Sequence, residues 1–336
     1  MGRAWREIPY MGSFQRATII RSTDPLSGVW REVERVGTTD SVARIAAGRS
    51  QPPAVCRPAV LKMRQAVELR RAGIDASLLT KPLLLYYSML NLVRGVMLPT
   101  RGDFGARAHG LSYSSGPTLL ECKAEVSPRG TFRAFAESVG VPPADLDKRV
   151  FSLRDLFAVI PETLRDFYLL RAGPASVVWV TVESFIGGFT YLTFQLPDVD
   201  EATFASSWQT MFPWMAEVCD LDAAFRLRLK VKLQSDSMVA EFCSRYLIHD
   251  MRPRDSAVWL DHRVGGGVVL LPRIVAYLAA MFILSNVCRY EPDYLEDAAV
   301  GGTDLGFFLG QFLSAAERFF PHLVLELMSG KCIHFE

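Results

Sequence analysis

Two stretches of this chain are apolar almost all the way around a helix, and no other feature limits the fold so tightly. The first is Lys81-Pro-Leu-Leu-Leu-Tyr-Tyr-Ser-Met-Leu-Asn-Leu-Val-Arg94. Thr80 and Pro82 suit its cap and first turn, and Pro99 is expected to end it. The second covers residues 268–288, where Pro272 and Arg273 leave an uninterrupted apolar run over 274–284. That run falls short of the roughly 20 residues a bilayer crossing needs. A helix without a polar face must be surrounded by other protein. Both segments are therefore expected to be buried core helices, with no membrane contact.

Periodicity places the other elements around them. Val60, Met63 and Val67 form one apolar face of a helix over 59–72. Segments 118–126 and 131–135 flank Ser127-Pro-Arg-Gly130 and read as a hairpin, and 177–184 with 189–196 flank Gly187-Gly188 as a second. Helical spacing returns over 152–170, 201–219 and 307–328. The segment Phe225-Arg-Leu-Arg-Leu-Lys-Val-Lys-Leu233 alternates strictly, which gives a strand with one apolar and one basic face. Helical N- and C-terminal parts around a central, mostly antiparallel β region make the expected class α+β. Residues 1–58, broken by Asp24-Pro25, Gly48 and Gln51-Pro52-Pro53, are expected to be an irregular arm. The globular domain is placed at 59–336, divisible into a helical layer (59–110 and 268–336) and a β-rich insert (111–267).

Half the residues are apolar and 22% are charged, which rules out a wholly disordered chain. Cys56, Cys122, Cys219, Cys243, Cys288 and Cys332 are scattered, so neither paired zinc ligands nor a disulfide framework is expected. They read as reduced thiols of a cytoplasmic protein. No apolar run of roughly 7–15 residues follows the opening Met-Gly-Arg-Ala-Trp-Arg, so no secretory signal is expected. Charge is uneven: residues 1–110 carry 17 Lys/Arg against 8 Asp/Glu, and the remainder 20 against 28. A basic N-terminal part fits either an acidic partner such as RNA, DNA or a nucleotide, or docking on the acidic remainder.

No metal or cofactor is expected. Gly265-Gly-Gly267 lacks the Lys-Ser/Thr of a P-loop and the spacing of a dinucleotide fold, and no Gly-x-Ser-x-Gly elbow occurs. The histidines His109, His249, His262, His322 and His334 show no zinc-ligand spacing. His109, in a glycine-flanked loop just after the first apolar helix, is the candidate acid or base. Ser88, Asn91 and Arg94 read as a polar line on that helix. Asn286, Arg289 and Tyr290 share a face at the end of the second, with Arg289 as an anion clamp or a partner of the helix dipole. Asn91-Leu-Val-Arg94 and Asn286-Val-Cys-Arg289 share an Asn-x-x-Arg pattern. Arg226, Arg228, Lys230 and Lys232 line the basic strand face about 6–7 Å apart, a spacing suited to the phosphates of a single nucleic-acid strand.

Several motifs occur in the order found in one bacterial family. They are Lys81-Pro82 with Tyr86-Tyr87 and Asn91-Leu92, Ala108-His109-Gly110, Phe151-Ser-Leu, Ile160-Pro-Glu162, and the run from Phe282 to Pro292. Over roughly residues 59–325 the chain resembles the YaaC-like proteins, a family with no settled activity. The resemblance points to Lys81, Pro82, Tyr87, Asn91, His109, Gly110, Arg289 and Tyr290. A looser analogy is to HEPN-type helical proteins, many of them ribonucleases in which four to six residues separate an Arg from a following His. No arginine stands at that distance from any of the five histidines, so a nuclease reading requires His109 to meet an arginine from elsewhere, such as Arg289. Two roles stay open. One is binding of nucleic acid or a nucleotide phosphate, with His109 and Arg289 as catalytic candidates. The other is a non-enzymatic interaction protein whose apolar helices also serve a homo-oligomer.

Overall fold

The computed structural model describes residues 17–102, 108–172, 177–184, 190–195, 200–211, 215–222, 226–230, 247–249, 257–260, 271–300, 302–330 and 332–335. Strand β1 (Ala17–Ile20) precedes helices α1 (Pro25–Val36), α2 (Thr39–Gly48), α3 (Cys56–Ala72) and α4 (Lys81–Arg101). There follow β2 (Leu111–Ser114), β3 (Lys123–Val126), α5 (Thr131–Ser138), α6 (Pro143–Leu146), β4 (Val150–Ser152), α7 (Leu153–Phe157) and α8 (Leu164–Leu169). Next come β5 (Val177–Ser184), β6 (Thr190–Gln195), α9 (Glu201–Met211), α10 (Met215–Val218), β7 (Cys219–Leu221), β8 (Leu227–Leu229), β9 (Leu247–His249) and β10 (Ala257–Leu260). The last elements are α11 (Arg273–Tyr290), α12 (Asp293–Val300), α13 (Asp304–Ser329) and β11 (Cys332–Phe335).

The two apolar segments are α4 and α11, and they lie side by side at the centre. Every residue of α11 from Arg273 to Val287 is buried. By length and composition α11 is able to cross a membrane, but its apolar surface is spent inside the protein. Tyr86 meets Phe282 at 5.6 Å between ring centroids, while Leu83 backs onto Cys288, so the two helices run antiparallel. Helix α4 continues through Pro99 rather than stopping before it. The carbonyl that a proline ring crowds is four residues back, here Gly95, and the Thr100 hydroxyl bonds the Val96 carbonyl at 2.6 Å.

The architecture is α+β, with helical terminal parts around mostly antiparallel strands. The sheets are β2-β3-β4, a six-stranded β7-β8-β6-β5-β10-β9, and a parallel pair of β1 with β11. Three expectations change. Within residues 1–58, the segment 25–48 forms two helices whose Val29, Trp30, Val33 and Val42 belong to the main core. Asp24-Pro25 is a helix start, not a break: the Asp24 carboxylate accepts from the Ser27 N–H, and proline fits the first turn. Residues 131–135 open helix α5, because Phe132, Phe135 and Ala136 recur at helical spacing and are buried together. Finally, Phe132, Phe135, Phe151, Phe157 and Phe167 also belong to the main core, so 111–170 is part of it rather than of an insert. Phe204 and Trp208 of α9, and Cys219, Leu227 and Leu229 of the six-stranded sheet, are buried outside that cluster.

Buried carboxylates tether the starts of both central helices. Glu162, whose side chain is 2% exposed, receives Arg273 at 2.7 Å and the Tyr277 hydroxyl at 3.0 Å. Glu317 on α13 receives Arg70 at 2.8 Å and Lys81 at 3.2 Å.

Candidate functional site

Successive residues of a helix turn by about 100°, so Tyr87, Asn91 and Arg94 fall within about 60° of one another on α4. Ser88 lies about 120° from Arg94 by the same rule, and its hydroxyl turns to α3, donating to the Ala66 carbonyl at 2.7 Å. The expected line of Ser88, Asn91 and Arg94 therefore divides, and Tyr87, Asn91 and Arg94 share a face instead. On α11 the same spacing aligns Phe282, Asn286 and Arg289. Each central helix thus carries an aromatic-x-x-x-Asn-x-x-Arg line.

The loop after α4 brings His109 to these faces. The first amides of α5 hold it: Thr131 N–H donates to the Ala108 carbonyl at 3.0 Å, and Phe132 N–H to the His109 carbonyl at 2.9 Å. Arg94 Nε donates to the Thr131 hydroxyl at 3.1 Å, and that hydroxyl donates to Ala108 O at 3.0 Å. The imidazole packs against Tyr86, Tyr87 and Phe282, at centroid separations of 5.6, 5.8 and 6.2 Å. Tyr86 Oη lies 2.6 Å from His109 Nδ1. Burial raises the Tyr86 pKa well above its ordinary value, so the phenol keeps its proton. Among the described residues His109 is the hydroxyl's polar partner, and a buried O–H seeks an acceptor. The phenol therefore donates to Nδ1, and the neutral ring carries its own proton on Nε2.

Arg289, exposed at the end of α11, donates to the Ser285 carbonyl at 3.3 Å and to Asn286 Oδ1 at 2.7 Å. Its guanidinium lies 5.0 Å from the centroid of the exposed Tyr290 ring. Burial, then the charges of Arg94 and Arg289, hold the His109 pKa below its ordinary value. Burial and the charge of Arg94 likewise lower Lys62 on α3. Neither Lys62 nor Arg289 has a carboxylate partner among the described residues. The arrangement is an imidazole bedded in aromatic rings, with cations from the two central helices acting on it.

A group whose folded pKa is depressed takes up its proton first in the unfolded chain, so stability falls as pH falls. The His109 contribution is therefore present above about pH 6.5, the ordinary histidine value, and is lost as pH drops through that value toward the lower folded pKa. A His109→Gln variant is expected to lose less stability than wild type between pH 7 and 5 in denaturant titrations. Parallel pH profiles would remove His109 from the account.

A family model described as YaaC-like Protein matches residues 44–328. The chain belongs to the YaaC-like family. No curated protein and no solved structure matches it. In this YaaC-like protein the matched segment contains the whole His109 cluster and starts within α2, inside the stretch expected to be an arm.

The remaining candidates stand elsewhere. Lys81 is taken up by Glu317, at the start of α4. Arg226 pairs with Asp222 at 2.8 Å and lies 4.5 Å from the Tyr191 ring centroid. Arg228 and Lys230 approach Asp220 at 4.0 and 3.8 Å, with Asp220 directly across the ladder from Arg228. The basic strand face thus belongs to the six-stranded sheet, opposite carboxylates of its own neighbourhood. Lys232 lies outside the described residues. Two members of the cluster, Phe282 and Tyr86, were not among the site candidates. Phe282 is legible once the Asn-x-x-Arg pattern is extended four residues back to the aromatic. Tyr86 stands in the Tyr86-Tyr87 motif, but only tertiary packing brings its hydroxyl to His109.

Proposed function

We propose that this YaaC-like protein binds a phosphate-bearing ligand, a nucleotide or a strand of RNA or DNA, at the His109 cluster. The observation that carries the reading is that Arg94 and Arg289, delivered by two different core helices, both act on one imidazole. Like charges gathered at one site repel one another, and a bound anion relieves that repulsion. Nε2–H of His109 is a hydrogen-bond donor to a phosphate oxygen, and exposed Tyr290 beside Arg289 offers a face for stacking. With Nδ1 engaged by Tyr86 and the proton on Nε2, the neutral imidazole is a donor rather than a base. The site favours binding over proton abstraction, and a HEPN-like nuclease activity would need another base.

The test is a thermal-shift screen against nucleotides and short single-stranded RNA and DNA, with Arg289→Ala alongside. A ligand at 100 times its Kd adds about 2.7 kcal/mol of stability. Wild type should shift, and Arg289→Ala, which removes an exposed side chain, should fold normally and bind at least tenfold more weakly. No shift of wild type with any probe would discard the reading in favour of a non-enzymatic interaction protein.

A further inference from the structure

Asn91 is anomalous. Among the described residues, the buried serine, threonine, histidine and charged side chains, and Asn286, all have hydrogen-bond partners, but the Asn91 carboxamide has none although the residue is only 8% exposed. Asn286, its counterpart on α11, is fully engaged: Nδ2 donates to the Phe282 carbonyl at 2.8 Å and Oδ1 accepts from Arg289 at 2.7 Å. A buried amide with neither donor nor acceptor used destabilises the fold that contains it, so its presence requires an occupant. Its place says which kind. Asn91 sits on the α4 face shared by Tyr87, which packs on His109, and Arg94, whose Nη2 donates to the Ala108 carbonyl beside His109. Both of those residues are half-buried, so the face reaches solvent beside it.

A bare phosphate is acceptor-only and would satisfy Nδ2 while leaving Oδ1 alone. A carboxamide is matched by a ligand edge that offers an acceptor and a donor side by side, as a nucleobase does. Resting on the phosphate reading above, we infer that Asn91 reads the base of a nucleoside phosphate whose phosphate lies at the Arg94–His109–Arg289 cluster. The bound ligand then supplies the hydrogen bonds that the folded chain lacks.

Calorimetric titration tests this with ribose 5-phosphate, the four nucleoside monophosphates, and a tetranucleotide of the best-bound base. Wild type should bind one mononucleotide at least tenfold more tightly than ribose 5-phosphate. Asn91→Leu should lose that preference, keep its affinity for ribose 5-phosphate, and melt on the order of 2 °C higher, because an unsatisfied amide has been removed. Asn91→Asp, which keeps the shape and loses the donor, should lose the preference too, and it serves if the leucine variant misfolds. A tetranucleotide bound more tightly than its monomer identifies a strand as the source of the nucleotide, and equal affinity identifies the free nucleotide. If ribose 5-phosphate and every mononucleotide bind wild type equally, the phosphate site stands and the base-reading role falls. An unchanged preference in Asn91→Leu with a lowered melting point would make Asn91 a structural residue around a trapped water. Binding of no probe overturns both readings.

Discussion

Glu162→Ala should be among the most damaging single substitutions in the protein, lowering stability by about 3–5 kcal/mol, the usual loss when one partner of a buried ion pair is removed. Arg273 Nη1 sits 2.7 Å from Glu162, with side chains 9% and 2% exposed, and the fully buried Tyr277 donates its hydroxyl to the second carboxylate oxygen at 3.0 Å. Without the carboxylate, Arg273 keeps a charge in the core, at the start of a helix whose dipole already disfavours a cation, and Tyr277 loses its acceptor. Replacing both charges at once should recover much of the loss, since an apolar pair of similar volume is often no worse than a buried ion pair. Urea titrations of wild type, Glu162→Ala and Glu162→Met/Arg273→Met decide the matter. A loss below about 1 kcal/mol in Glu162→Ala, the level of an exposed pair, would mean that the buried pair does not hold the start of α11.

That tether shows what was and was not legible. Glu162 is visible in the sequence only as part of Ile160-Pro-Glu162, and nothing near it in the chain names Arg273, 111 residues away. The central helices were readable because their apolar residues leave no face for water. Helices α1 and α2 were obscured because Asp24-Pro25, read as a break, is the start of a helix, and because both helices bury only one narrow stripe. Helix α5 was mistaken for a strand because Thr131, Phe132 and Phe135 suit a strand by type, whereas the i, i+3, i+4 spacing that decides the matter is only two turns long. For the site, spacing found Asn91, Arg94, Asn286 and Arg289 as pairs on two helices. It wrongly added Ser88, since steps of three residues drift around a helix. Only the antiparallel contact of α4 with α11 reveals that both lines converge on His109.

Gly130→Ala is expected to disturb that convergence most directly. Gly130 has φ +135°, a conformation that side chains resist, and a Cβ there would lie 2.3 Å from Gly110 Cα and 2.5 Å from Gly110 N. Both contacts are with backbone, so no flexible side chain can move aside. Positive-φ strain of about 1–3 kcal/mol then adds to overpacking of about 1–3 kcal/mol. Relief must come from moving the Ala108–Gly110 segment away from α5, which pulls on the Thr131 and Phe132 amides and on the 2.6 Å Tyr86–His109 contact. Gly140→Ala is the matched control: its φ is +97° but nothing beyond its chain neighbours lies within 4 Å of the added carbon, so strain acts alone. Gly130→Ala should lose roughly twice as much stability as Gly140→Ala by the sums above. Its His109 ring resonances should also report loss of the Nδ1 hydrogen bond, which the control retains. Equal losses in the two variants, with the His109 signals unmoved, would show that the close approach of two glycine backbones does not set the imidazole in place.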